Sequence, residues 1–536
     1  MTGLAAVLRL QLRRDRGQLI IWAIATAAMW PMIIIALGSA MTDAARVDLV
    51  RLAAVNPALL FVRGTPQGTD IGAVTWFSVA GFLGLLFAFM ATFHAVRHTR
   101  AEEEQGRTEM IGAGVVHRLA GPAATALSGL IKVGLCGAVV LLGSAVTGLD
   151  LYASLVAALG LAGVGMTWLA LGLLSAMIMP TARSAATVPG VLAGLAFVVR
   201  GTGDALGTAD VTLTRVESAW PAWLSPIGWA QLAHPFSEPR PQVLVLFVPL
   251  LLILAVVVAT TAVRRELGES MVRPRRARPN ASRWLSGPAG LVARQQRGTM
   301  ITWLVVAVGM GGLVGGVAPA VADAMQDNPA VAELIERAAQ DPSGDPVIGL
   351  ALALLSINGV LASVAAISIM GALHHDERAV GELLFALPLA RPALFIRHVV
   401  LATTTGTAVV VLAAGTAAVV LAGSGFVDAA PTVLQIGAAM LPVVYAYLGL
   451  TALLVGVLPR VLTWLPWVLL FGLMLLGQFA PLFDGFDRLA ILSPFHWVAN
   501  PVVPDADRWP SVVMVAVAVG LTVAGGATFR RRDLHV

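Results

Sequence analysis

Two short segments place carboxylates and a guanidinium at identical spacing in an otherwise greasy chain. EQGRTEMIGAGVVHR starts at Glu104 and ERAVGELLFALPLAR at Glu377, and both read Glu-x4-Glu-x8-Arg: Glu104, Glu109 and Arg118 in one copy, Glu377, Glu382 and Arg391 in the other, 273 positions on. Glycines (Gly112, Gly114) bound the first segment and Pro388 the second, which allows a helical turn or two each. Such turns would project Glu109 and Glu382 into water. The chemistry they offer is pairing with cations on another surface; ordinary solvated loop charge is the plainer reading.

Other groups offer less. His94 and His98 stand four apart, and His374-His375-Asp376-Glu377 could suggest metal ligands, yet both sets fall at span ends with no third distant ligand, so no metal site is expected. The lone cysteine, Cys136, excludes an intrachain disulfide and a cysteine-cluster metal site. A phosphate-binding loop ends in Gly-Lys-Ser/Thr. The only lysine, Lys132, is followed by Val133 and reads as lying at a span edge. The chain is therefore expected to bind no cofactor and to hydrolyse no ATP. GTGDALGTAD, from Gly201, reads as an outer connector.

The elements that carry these residues follow from composition. With 58% hydrophobic residues, 12% charged ones and a mean hydropathy of +0.84, the chain departs from the balance of a soluble domain. Apolar runs of the roughly 20 residues needed to cross a bilayer recur throughout; examples begin at Gln18, Val243 and Ser511. The expected fold is an all-α polytopic membrane protein of about twelve spans, six in residues 1–280, which also hold an N-terminal amphipathic helix and a basic linker, and six in 281–536. The third span, near Leu130 to Thr147, and the eleventh, near Leu462 to Ala480, are the weakest. The arginines of MTGLAAVLRLQLRRDRG follow its first apolar residues with no small-residue cleavage site, unlike a signal peptide.

With both termini on one side, that side collects 25 basic residues against nine, and 11 carboxylates against 19. The positive-inside rule makes it cytoplasmic, in the plasma membrane. The net charge of +5 is thus topology and not a nucleic-acid footprint.

An internal repeat accounts for the matched segments. RRDRGQLIIW (from Arg13) corresponds to RQQRGTMITW (from Arg294). Ser225, Pro226 and Trp229 correspond to Ser493, Pro494 and Trp497 before the last span of each half. The three markers recur in order at offsets of 281, 273 and 268. Six spans per half make the repeats parallel, related by an axis along the membrane normal.

With these features the sequence resembles the permease of a type V (ABC-2) exporter over nearly its whole length, and most closely the actinobacterial permeases described as exporters of polyketide or tetronasin-type antibiotics. The resemblance implies that the segments between spans two and three are coupling helices seated on two copies of a separate ATP-binding cassette subunit, which holds ATP and Mg2+. Glu104, Glu109 and Arg118 would belong to the first and Glu377, Glu382 and Arg391 to the second. It also implies that Ser225, Pro226, Trp229 and Ser493, Pro494, Trp497 lie in short re-entrant outer helices. The copies differ at Arg107 and Val380, and the second lacks the Glu102-Glu103-Glu104 run, so the two contacts need not be equal.

An ion-coupled secondary multidrug transporter of the major facilitator type also has six plus six spans, and Gly106-Arg107 imitates its loop. Such coupling needs ionisable residues in the membrane interior, and no Asp or Glu is expected mid-span. An apolar route without buried charge suits lipophilic or amphiphilic cargo, either drugs or membrane lipids, and does not tell one from the other. The tryptophans at 220, 223 and 229 read as interfacial anchors.

Overall fold

The computed structural model describes residues 2–55, 57–265, 270–272, 288–327, 346–386, 391–462, 464–479, 491–503 and 506–531. The chain separates into two units, Met1–Arg276 and Ala277–Val536. Among the described residues, eleven helices are long and apolar enough to cross a membrane, six in the first unit and five in the second. In place of the eleventh expected span stands a shorter apolar stretch, Leu465–Met474. By this architecture the described residues form an all-α polytopic membrane protein.

The first unit opens with α1 (Leu4–Arg14), which turns at Asp15 into α2 (Arg16–Met29). Trp30-Pro31 interrupts the first crossing before α3 (Pro31–Ala40), because proline cannot donate to the helical ladder. Between the first and second crossings lie α4 (Asp43–Val55) and α5 (Pro57–Arg63). The second span, α6 (Ile71–Arg97), leads into two short helices, α7 (Arg100–Glu104) and α8 (Arg107–Gly112). Then come α9 (Ala120–Val146), α10 (Leu151–Ile178) and α11 (Ala182–Ala205). Asp150 caps α10, accepting from Ala153 N, and Thr181 with Ser184 forms a capping box on α11.

Strands β1 (Thr208–Ala209) and β2 (Val216–Glu217) pair antiparallel in the connection between the last two crossings of the unit. The short α12 (Pro226–Leu232) and the sixth span α13 (Phe247–Arg264) complete the unit. Its core interleaves aromatics: Trp30 lies 5.6 Å from Trp76 and 5.3 Å from Phe236, and donates through Nε1 to Ser144 at 2.7 Å.

The second unit runs α14 (Pro288–Asp327), α15 (Pro346–Ala386), α16 (Arg391–Gly423), α17 (Ala429–Ala439), α18 (Leu441–Val457), α19 (Leu465–Phe479) and α20 (Trp509–Arg531). Small residues let its helices approach closely. A Cβ on Gly449, Gly456 or Gly525 would run into the backbone of the helix facing it across the α18–α20 seam.

The third span starts ten residues earlier than expected, at Ala120. That corrects the position of Lys132, which is not at a span edge but buried within α9. Gly201 to Ala205 are likewise the end of α11 rather than a free connector.

Candidate functional site

The first charged segment is braced by its own unit. At its base, Glu102 takes Arg14 at 3.1 Å and Arg107 at 3.2 Å. Arg100 donates to Glu103 at 2.9 Å and to the Pro180 carbonyl at 2.7 Å, and Arg265 pairs with the same Glu103. Glu104 accepts from Ala182 N at 2.8 Å, where the exposed N–H groups and dipole of a helix N-terminus favour a carboxylate. Arg118 donates to the Arg265 carbonyl. Gly106, at φ 68°, makes the left-handed turn between α7 and α8 that few other residues tolerate.

Of the three residues read as a contact set, Glu104 and Arg118 are thus engaged within the unit, while Glu109 is exposed on α8. Beside it Met110 is 72% exposed and, past the turn, Val115 is 89% exposed. A carboxylate flanked by exposed apolar knobs on a fixed turn can seat in a groove of another protein.

The second segment is built differently. Helix α15 runs unbroken from the span to Ala386, carrying Glu377 and Glu382 along it. Glu377 lies 3.8 Å from His374; the Glu382 side chain falls outside the described residues, and Arg391 opens α16.

Before the last span of each half the repeat markers take the same local form in both units. Ser225 and Ser493 are both buried at the N-cap position before a proline in the first turn, and Ser225 accepts a capping hydrogen bond from Gly228 N. Trp229 Nε1 donates to the carbonyl of Trp223 at 2.6 Å, and Trp497 Nε1 to that of Ile491 at 2.8 Å, each six residues back. Sequence reading placed these residues together without foreseeing that the indole closes the turn.

A cluster where α1 meets the first three crossings escaped sequence reading. Asp15, buried between α1 and α2, lies 3.0 Å from His94 Nδ1, 3.0 Å from His98 Nε2, 2.8 Å from Lys132 Nζ and 3.6 Å from Arg97. Burial pushes the Asp15 carboxyl up, but hydrogen bonds from His94, His98 and Lys132 outweigh it and hold the group well below the usual carboxylate range. Asp15 is the third partner that the histidine pair was expected to lack. The donor atoms of Asp15, His94 and His98 lie within 4.8 Å of one another. The Lys132 ammonium on the same carboxylate opposes a divalent ion there by like charge.

A second buried pair corrects the expectation of a route free of buried charge. Arg200 is fully buried, 3.0 Å from Asp204 and 2.8 Å from the Phe61 carbonyl, and it shares Gln231 at 3.0 Å. Gly64, at φ 122°, leaves the space that the Gln231 amide enters.

A family model described as "Multidrug efflux system permease Rv1217c, C-terminal domain" matches residues 285–530. The chain is also similar to the multidrug efflux system permease protein Rv1217c of Mycobacterium tuberculosis (strain ATCC 25618 / H37Rv), with 30% identity over 549 aligned residues, covering 100% of this chain and 96% of that protein.

Proposed function

The chain belongs to the multidrug efflux system permease family, and we propose that it is the membrane-spanning subunit of an ATP-driven exporter of lipophilic or amphiphilic compounds. Two copies of a separate ATP-binding subunit, holding ATP and Mg2+, would power it from the cytoplasmic side, where both termini lie. The observation that carries this reading is the matched pair of acidic segments after the second span of each half, the first of them fixed by ion pairs so that Glu109 and Met110 face outward. The lone lysine supports it from the other direction. Lys132 is spent on Asp15 inside α9, where no nucleotide phosphate reaches it.

Substituting Glu109 or Glu382 with Ala tests the reading. Truncating one member of a desolvated interfacial ion pair costs about 2 to 5 kcal/mol, whereas a rim charge costs little. The expected result is loss of ATP-binding subunits on affinity purification and loss of dye efflux, worse in the double variant, with normal insertion. Full retention and full efflux in the double variant would return these glutamates to ordinary loop charge.

One observation favours the ion-coupled alternative: the first half buries ionisable side chains at Asp15, His94, His98 and Lys132. That reading requires efflux without ATP-binding subunits, driven by an ion gradient alone.

A further inference from the structure

The hydrogen bonds around His94 define its protonation. The Gly121 carbonyl takes the Thr125 hydroxyl hydrogen at 3.1 Å, so Gln11 presents its NH2 to Thr125 at 3.0 Å. The Gln11 carbonyl then takes the Ser128 hydroxyl hydrogen at 2.9 Å. With the Gln11 amide in this orientation, His94 Nε2 faces acceptors, Ser128 Oγ at 2.9 Å and the Thr125 carbonyl at 3.3 Å, and donates to them. On its other side Nδ1 stands 3.0 Å from Asp15 Oδ2. A neutral ring protonated at Nε2 would aim a lone pair at that carboxylate; a second proton on Nδ1 turns the repulsion into a charge-assisted hydrogen bond.

We propose that Asp15 and His94 form a proton-binding site, with the proton held at His94 Nδ1, that makes export by this permease respond to pH.

Three features support a functional site over a structural one. First, the second half builds the same helix junction without it. At the repeat offsets, Asp15 corresponds to Gln296, His94 to Ile367, His98 to Gly371 and Lys132 to Thr405, of which Gln296, Ile367 and Thr405 are buried. The fold does not need charges at these four positions, although that junction buries His398, 3.8 Å from Asp376. Second, the proton is exchangeable, because its neighbours oppose it. Arg97 and His98 on α6 and Lys132 on α9 share the Asp15 carboxylate with His94, while Gln11 of α1, Gln18 of α2 and, on α9, Thr125 and Ser128 contribute neutral dipoles. Leu169 of α10 closes the site, filling space that a Cβ on Gly129 would contest at 2.5 Å. Third, the site adjoins the first acidic segment: Arg14, next to Asp15, holds Glu102, which holds Arg107 at the start of α8. Loss of the proton would leave a lone pair against Asp15 and loosen α1 and α2 from α6, at the base of the turn that presents Glu109.

The test uses the full chain, 15N-labelled at histidine, in lipid nanodiscs titrated from about pH 5 to about pH 9, with His94→Asn assigning the signal. Expected is an imidazolium protonated at both nitrogens that persists to higher pH in the wild type than in Asp15→Asn, because the carboxylate favours the charged ring. A His94 neutral throughout with its hydrogen on Nδ1, or the same titration in Asp15→Asn, would overturn the proposal. So would one tightly bound divalent metal per chain that His94→Asn abolishes. The combined variant Asp15→Gln, His94→Ile, His98→Gly, Lys132→Thr copies the second half. It is expected to fold and to export dye with a flatter pH profile; an unchanged profile would remove the pH-response role.

Discussion

Where the N-terminal helix meets the second and third spans, the first half buries a carboxylate, two imidazoles and an ammonium, and the second half buries a glutamine, an isoleucine and a threonine at the repeat-related positions. Near the C-terminal end of the fifth crossing the contrast recurs: Arg200 and Asp204 in the first half correspond to Val468 and Gly472 in the second. The last span differs as well. In the first half Phe247 fills a slot left by Gly163 of α10, whereas in the second Gly449, Gly456 and Gly525 bring two backbones together. Helices of one arrangement can therefore be joined through charge and aromatic rings or through small apolar surfaces. Since a buried ion pair is seldom worth more than a well-packed apolar replacement, the charges of the first half are better explained by what they do than by what they hold together.

The largest expected effect concerns the buried pair itself. Asp15→Ala leaves Lys132 charged and unpaired inside α9 and should cost about 3 to 5 kcal/mol of stability. Gln296→Ala, its counterpart, removes a neutral group and should cost about 1 kcal/mol. Denaturation of the detergent-solubilised chain, followed by tryptophan fluorescence, compares them; equal losses would break the contrast.

Acid should separate the halves next. Burial, reinforced by Arg240, pushes His234 down to about 4, so the unfolded chain binds a proton that the folded chain refuses. Stability then falls as pH drops through the window from about 6.5 to about 4, by about 3 kcal/mol in all. His234→Gln should flatten that part of the profile, and the corresponding Val502 of the second half has nothing to titrate. Asp15 works in the opposite sense at lower pH: its carboxyl is held down, so its contribution is present above about pH 4 and is lost only on further acidification.

Packing sharpens the comparison from the other half. Gly525→Val forces α18 and α20 apart and should cost about 1 to 3 kcal/mol by overpacking. Val257→Gly at the related, partly exposed position should cost about 1 kcal/mol or less. A reversed order would mean that the seam at Gly525 is not tightly packed.

The smallest effect should be shared. Trp229→Phe and Trp497→Phe each remove one indole-to-carbonyl hydrogen bond across six residues and should each cost about 1 kcal/mol. Unequal values would weaken the equivalence of the two turns.

Eleven of the twelve expected spans, six in the first half and five in the second, were legible because hydrocarbon thickness fixes the length of an apolar run, whatever its partners. The matched turns at Ser225 and Ser493 were legible because a cap and a first-turn proline are local chemistry. The Asp15 cluster was not, since its members are up to 117 residues apart and meet only through helix packing. Lys132 was misplaced for a related reason. Glycines and alanines from Ala120 to Gly129 soften the hydropathy of α9, which hides where the span begins. The unlike build of the two acidic segments was equally hidden, because Glu-x4-Glu-x8-Arg fits two short helices bent at Gly106 as readily as one continuous helix.

The claim that this permease is powered by other chains is tested most directly by purifying it with its partners from native membranes, followed by native mass spectrometry and an ATPase assay. The account predicts one copy of this chain with two ATP-binding subunits, hydrolysis by the complex and none by the isolated chain. Two copies of this chain per complex would contradict the internal pseudo-dimer, and dye export by the isolated chain in liposomes under a proton gradient without ATP would contradict the ATP-driven mechanism.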